Sequence, residues 1–446
     1  MSEASIVRRA SYGPNSPAVG ARGASTRTRI TEVSLDLFGR LGYLDTSVDA
    51  IAKGAGVSRA TLYQYFEGKD EIFVELLNEC GSALFRAARR IGPLGPDEVG
   101  FDNLNWWLGE WSWVFDKYTT IFIQWSAIAS SDTKVRPLIT SFERSYNHRV
   151  AERLAASGVR GLDPEVAAMT MTTLVHSVNL FAHTNRAYGR SAKAAVDTLS
   201  VFLQLVLFPG TPPSVLSSLH LHASEDPAAD VDAIVVPPAP DVRGLSISER
   251  SAGLVKRSVA TLIALADAGT AEFRARGYRG TSIDDVVEAA DVARGTFYNY
   301  FIDKQDFLAA LAAEHYDTGK GFAERIAGVD PLADQPALRD WLATYVEFYQ
   351  RYSCCIDAWA EGATDDPTIV AIGEHGQVLM DLGIAKMLTR RSGPYPFDPI
   401  VSALIVRALV TRLPQAALDL PERIDDDEVV DLLLSCIARG FFGSAS

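Results

Sequence analysis

Arg59, Thr61, Tyr63 and Gln64 set four hydrogen-bonding side chains within six residues, with Ser58 just ahead of them as a ready helix cap. A guanidinium early in such a helix can span O6 and N7 of a guanine. Threonine can meet a phosphate or a thymine methyl, and glutamine can pair with adenine or turn to the backbone. Arg294, Thr296, Tyr298 and Asn299 repeat the same types 235 residues later. With Ala60 and Gly295 beside them, these are the residues expected to read a duplex. Base-edge contacts would set sequence, and phosphate contacts would set affinity and register.

Two short helices and a tight turn must present each group. Thr46-Ser47-Val48-Asp49 opens the first copy. Ser47 can cap its first helix, and Val48, Ile51 and Ala52 recur at helical spacing. Gly54 and Gly56 free the corner, and Val57 plugs it. Leu62 and Phe66 turn to the core, and Tyr65 suits either surface or core. This is the layout of a helix-turn-helix, whose second helix enters the major groove. Thr281-Ser282-Ile283-Asp284 and Arg294-Gly295-Thr296-Phe297-Tyr298-Asn299-Tyr300-Phe301 repeat it without a gap, Tyr300 answering Tyr65. Thr46, Ser47, Thr281 and Ser282 offer helix N-termini to phosphate. In the second copy Asp291 replaces Gly56 and Ala293 replaces Ser58. The lost cap weakens that helix by about 1 kcal/mol, and the added carboxylate repels phosphate. The second head is therefore expected to bind DNA more weakly and with a different preference.

At 446 residues the chain has room for two or three domains. No run reaches the roughly 20 apolar residues of a membrane span, and no signal-type segment opens the chain, so cytoplasm is expected. Cys80, Cys354, Cys355 and Cys436 lack metal-ligand spacing, so reduced, buried thiols are expected, with no metal and no cofactor. A net charge of −14 opposes indiscriminate polyanion binding yet permits one locally positive face. No nucleophile elbow, phosphate loop or zinc spacing occurs, so the chain does not read as an enzyme.

Phe-x-x-x-Gly-Tyr at 38–43, Ala-Gly-Val-Ser-Arg-x-Thr-Leu-Tyr-x-Tyr-Phe at 55–66 and Lys69-Asp70-Glu71 resemble the DNA-binding domain of the TetR family of transcriptional regulators. The resemblance covers about residues 28–80 and recurs at about 258–315. It implies an all-α fold of two units, each a three-helix helix-turn-helix domain followed by a helical ligand-binding and dimerisation bundle. It also implies phosphate contacts from Tyr63, Tyr298, Lys69 and Lys304. Arg27, ahead of a first helix expected over 28–41, could reach phosphate or a minor groove, or simply be a solvated helix start.

The expected layout is a disordered tail over 1–24, DNA-binding domains over 25–90 and 246–320, and helical regulatory domains over 91–208 and 321–446. A Pro-rich linker over 209–245 joins the halves. The offset of 235 persists in the bodies, where Trp106 answers Trp341 and Asp163-Pro164 answers Asp398-Pro399. Trp107, Trp111, Trp125, His176, Phe181 and Trp359 are candidates for an apolar ligand pocket, against the alternative of ordinary interhelical packing. Family members pair through their late helices, and here one chain carries both sets, about 165–207 and 400–440. The expected partners are an operator in double-stranded DNA and a small effector of lipid or sterol character, with no membrane. The chain would form an intrachain pseudo-dimer, as a monomer or a homodimer, and act as a repressor on an asymmetric operator. A regulator without a ligand, or an activator recruiting a partner, is the alternative.

Overall fold

The computed structural model describes residues 21–43, 45–123, 135–159, 161–184, 186–216, 226–360, 364–390, 397–418, 420 and 424–443, and among them there is helix and no strand. The chain divides into two compact units. One is Met1–Arg86 with Val114–Ser126, the other Ala87–Trp113 with Ala127–Ser446.

In the first unit the opening helix is Ala21–Leu41, longer at its start than the apolar spacing predicts, so residues 21–24 are helix rather than tail. Ile30 and Phe38 are fully buried, but Leu41, placed by its spacing on the same stripe, is 49% exposed. Gly42 ends the helix at φ 84°, a left-handed conformation that glycine adopts without a Cβ clash. The helix-turn-helix follows as Val48–Gly54 and Arg59–Tyr65. Ser47 accepts the Ala50 N–H at 3.1 Å and Ser58 the Thr61 N–H at 3.0 Å, so both expected caps form. The long helix Lys69–Arg89 closes the core with Ile72, Phe73, Leu76 and Leu77. The Phe73 ring lies 5.3 Å from Tyr43, edge-on, a favoured aromatic geometry.

The second unit contains the repeat of that head. Its helices are Lys256–Gly280, broken at Gly277 (φ 70°), then Ile283–Ala289, Arg294–Phe297 and Lys304–Gly328. Phe273, Phe297, Phe301 and Phe307 form its aromatic core. Its recognition helix has four residues where the first has seven. Ala293 makes no side-chain cap bond there, and Asp291 takes up φ 53°, the conformation Gly56 adopts at φ 64°. The missing cap and a non-glycine left-handed corner act on the same helix start.

The body of this unit is built on four late helices, Pro164–His183, Ala192–Leu207, Pro399–Ala417 and Asp426–Phe442, which pack on one another. Asp163 and Asp398 cap the equivalent helices in the same way, each accepting two backbone N–H groups. Leu199, Phe202, Leu203, Leu404 and Leu433 fill the seam. Gly440 is needed for close approach, because a Cβ there would lie 2.2 Å from the Phe202 ring. Arg190 bridges to Asp398 at 3.0 Å between the two sets of helices. Pro399–Ala417 is long and apolar enough to cross a membrane, but 83% of its most apolar window is buried in this seam.

The stretch 209–245 is not a plain tether. It carries the short helices Pro213–Leu216 and Pro227–Asp232, and the second packs on Pro367–Leu388 and Pro399–Ala417 with Val231 buried. The stretch carries seven prolines, yet a few apolar side chains suffice to dock it.

Candidate nucleic-acid interface and internal cavity

The same three-residue arrangement stands at the start of each recognition helix. Arg59 donates to the Asp49 carboxylate at 3.0 Å and to the Tyr63 hydroxyl at 3.4 Å, with its guanidinium 5.6 Å from the Tyr63 ring centroid. Arg294 donates to Asp284 at 2.6 Å and to the Tyr298 hydroxyl at 3.5 Å. The tyrosine hydroxyl, then the carboxylate, raises each guanidinium above its ordinary range, so both arginines are charged at any working pH. All six side chains are exposed. The aspartate on the preceding helix thus holds the arginine across the turn, limiting its rotamers before any ligand arrives.

Around these groups Ser47, Ser58, Ala60, Gln64, Ser282, Gly295 and Asn299 are exposed, and Thr61 and Thr296 are partly so. The Thr61 hydroxyl is engaged with Ser58 Oγ at 2.8 Å. These residues make one continuous face per head. Ser282 is more committed than Ser47, since it shares a reciprocal capping box with Asp285.

Several residues expected at the DNA are buried or engaged with the protein's own backbone. Thr46 and Thr281 are 1% exposed, and their hydroxyls donate to the carbonyls of Gly42 and Gly277 at 2.7 and 2.9 Å. They tie the helix-turn-helix to the first helix and offer phosphate no side-chain donor. Lys69 donates to the Tyr43 and Thr46 carbonyls at 2.8 and 3.2 Å, and Lys304 to those of Tyr278 and Thr281, both at 2.8 Å. These ammonium groups serve orphan carbonyls of the turn, and burial lowers the Lys304 pKa. Tyr65 is buried, and the half-buried Tyr300 donates to the Ser258 carbonyl at 3.2 Å.

Arg27 is the clearest correction. It is 7% exposed, paired with Glu75, donates to the Tyr65 carbonyl at 2.8 Å and lies 4.2 Å from the Phe66 centroid. The second head has Leu262 where the first has Arg27, yet the receptor is filled there too. Arg250, from the short helix Ile247–Ser251, donates to the Tyr300 carbonyl at 2.9 Å and to Asp306 at 3.0 Å, 5.3 Å from Phe301. Sequence reading missed Arg250 because it lies at no equivalent offset. It also missed the role of Asp49 and Asp284, although both occupy the same place in the two copies.

The candidate pocket residues separate. Phe181 and Trp359 line a cavity of about 150 Å³ in the second unit, whose wall includes Tyr345, Phe348, Tyr349 and Tyr352 together with Arg186, Arg407 and Arg412. Trp107 and Trp111 are buried in packing away from it, Trp111 edge-on to His176 with centroids 6.1 Å apart. Trp125 lies outside the described residues. Burial pushes the His176 pKa down to about 4, Arg412 adding to the effect.

The model of bacterial regulatory proteins of the tetR family matches the chain twice, at residues 30–76 and 265–311. The chain is similar to the Mycobacterium tuberculosis protein bearing the name mycofactocin biosynthesis transcriptional regulator MftR. The two are 41% identical over 59 residues, 13% of this chain and 30% of that one. It is 30% identical over 95 residues to the HTH-type transcriptional repressor DhaR of Mycobacterium sp. strain GP1, 21% of this chain and 46% of that one. These alignments span less than half of either relative. A solved TetR/AcrR-family transcriptional regulator from Thermobifida fusca YX-ER1 aligns with a TM-score of 0.31 at 22% identity, over 40% of this chain and 97% of that one.

Proposed function

Because this chain is a tandem TetR-like regulator, we propose that it is a cytoplasmic repressor that reads an asymmetric operator with two unlike heads and is released by a small molecule in the internal cavity. The observation that carries the reading is the repeated Asp–Arg–Tyr arrangement, Asp49–Arg59–Tyr63 and Asp284–Arg294–Tyr298, exposed at the start of both recognition helices. An arginine early in that helix is suited to bidentate recognition of guanine. The heads differ at Gln64 against Asn299 and at Ser58 against Ala293, which favours two non-identical half-sites.

The seam of Pro164–His183 and Ala192–Leu207 against Pro399–Ala417 and Asp426–Phe442 supports the pseudo-dimer. Apolar late helices that a single-unit relative would use to pair with a second chain find their partners in the same chain. The cavity supports an effector, since it is concave and lined by aromatic and cationic side chains from helices of the body. The likeness to relatives named as repressor and regulator supports repression as the output.

The test is DNase footprinting upstream of the protein's own gene with wild type, Arg59→Ala and Arg294→Ala, alongside light scattering of the free protein. Each variant should erase protection on a different half of one asymmetric site, from a particle of one chain. A palindromic footprint from an obligate dimer would refute the reading.

A further inference from the structure

The chemistry of the cavity wall names the class of molecule it takes, an inference that rests on the reading of this cavity as the effector site. Among the described residues that line it are four cationic side chains, Arg186, Lys320, Arg407 and Arg412, and no carboxylate. Arg407 is the most deeply set. It is 9% exposed, its Nε donates to Asp381 at 2.6 Å, and its guanidinium stacks 3.8 Å from the Phe181 centroid. Its Nη2 is buried and donates to no protein atom among the described residues. A charged donor left in that state is costly, and a ligand oxygen would remove the cost.

The charge around it is also unbalanced. Arg407 has Asp381 and Arg412 has Asp357, at 3.3 Å. Arg186 is held by the Ala360 carbonyl at 3.0 Å and by the Trp359 ring, 4.6 Å away. Burial, then Arg407 and Arg412, pulls its pKa down to about 10. Asp381, which also accepts from Tyr188 at 2.7 Å, has its pKa raised by burial, weakening the counter-charge further. An anion here would relieve three guanidinium groups at once.

Size narrows the choice. A cavity of about 150 Å³ matches one that holds a single benzene ring and falls well short of the roughly 300–1,000 Å³ sites of drug-sized ligands. A sterol or a long acyl chain would have to project well beyond it. We propose that the cavity binds a small aromatic monocarboxylate, its ring between Phe181, Trp359 and the tyrosines and its carboxylate on Arg407 Nη2.

Isothermal titration of the full-length protein with benzoate, phenylacetate and the neutral isostere benzamide tests this. Benzoate or phenylacetate should bind at least tenfold more tightly than benzamide. Arg407→Lys keeps a cation beside Asp381 but removes the donor pair, and should abolish that preference while leaving benzamide unchanged. Arg186→Met, which breaks no ion pair within 4 Å among the described residues, should reduce it severalfold and decides the matter if Arg407→Lys does not fold. Equal binding of benzamide, carboxylate binding indifferent to both variants, or binding of palmitate but not of benzoate would each overturn the inference. Arg407-dependent benzoate binding that leaves operator affinity unchanged would uphold the anion site and refute the release mechanism instead.

Discussion

Replacing Arg27 with methionine separates its two possible roles. The guanidinium is buried against Glu75, whose side chain is 17% exposed, and it satisfies the Tyr65 carbonyl at the end of the recognition helix. Removing it strands a largely buried carboxylate, and breaking such a pair costs about 3–5 kcal/mol. Methionine restores some packing on Phe66, so the lower end, about 3 kcal/mol, is expected. Hydrogen exchange of the amides in 48–66 reads this directly, because 3 kcal/mol of local stability is about a hundredfold in exchange rate. Replacing Glu75 with methionine as well removes the stranded charge and should recover about 2 kcal/mol, a coupling that a double-mutant cycle isolates. Arg250→Met should have the parallel effect on 283–301 and none on the first head. If Arg27→Met left exchange unchanged but weakened DNA binding with a shallower salt dependence, Arg27 would be a phosphate contact and the burial argument would fail.

The second head should be improvable toward the first. Asp291→Gly relieves a left-handed aspartate (φ 53°), so about 0.5–1 kcal/mol of local stability and a stronger footprint on the second half-site are expected. Ala293→Ser supplies the missing cap, and slower exchange across 294–301 by about fivefold, equivalent to about 1 kcal/mol, would verify it. The His176 pKa is depressed to about 4, so its stabilising effect is fully present above about pH 6.5. As pH falls from 6.5 toward 4, the unfolded chain takes a proton that the folded chain refuses, and stability drops by at most about 3 kcal/mol. Melting temperatures of wild type and His176→Gln between pH 7 and 5 should converge as pH falls. Gly440→Val, which drives a side chain into Phe202, should destabilise the second unit by about 1–3 kcal/mol without touching the recognition helices.

What was legible in the sequence followed local rules. The Ser47 and Ser58 caps depend on a few neighbouring residues, so spacing revealed them, and the constant offset of 235 revealed the tandem plan. What was not legible depended on distance in the chain. Arg27 and Glu75 are 48 residues apart, and Arg250 and Asp306 are 56 apart. A basic residue just ahead of a helix looks solvated until its partner is known. Lys69 and Thr46 show a related dependence on partners within the protein. Residues at the rim of a helix-turn-helix can serve either the phosphates outside or the orphan carbonyls of the turn, and only burial decides between them. The cavity lay further still from reach, since Phe181, Trp359 and Arg407 come from three separated helices.

The two heads show which parts of the unit tolerate change and which must be rebuilt. The Asp–Arg–Tyr face persists at the same offset in both copies, as do the lysine staples at 69 and 304. The cap and the glycine corner have gone from the second copy, and its recognition helix is three residues shorter. The guanidinium that closes the end of that helix comes from a non-equivalent position, a different arginine on a different helix, yet it occupies the same receptor, the tyrosine carbonyl and the phenylalanine ring. A buried carbonyl at a helix end demands a donor wherever the donor comes from, whereas a cap worth about 1 kcal/mol can be dropped when the rest of a 446-residue chain holds the head in place. Covalent linkage makes that loss tolerable. In a symmetric dimer a weakened head would be weakened twice, but in a tandem chain the first head keeps its cap while the second lacks one.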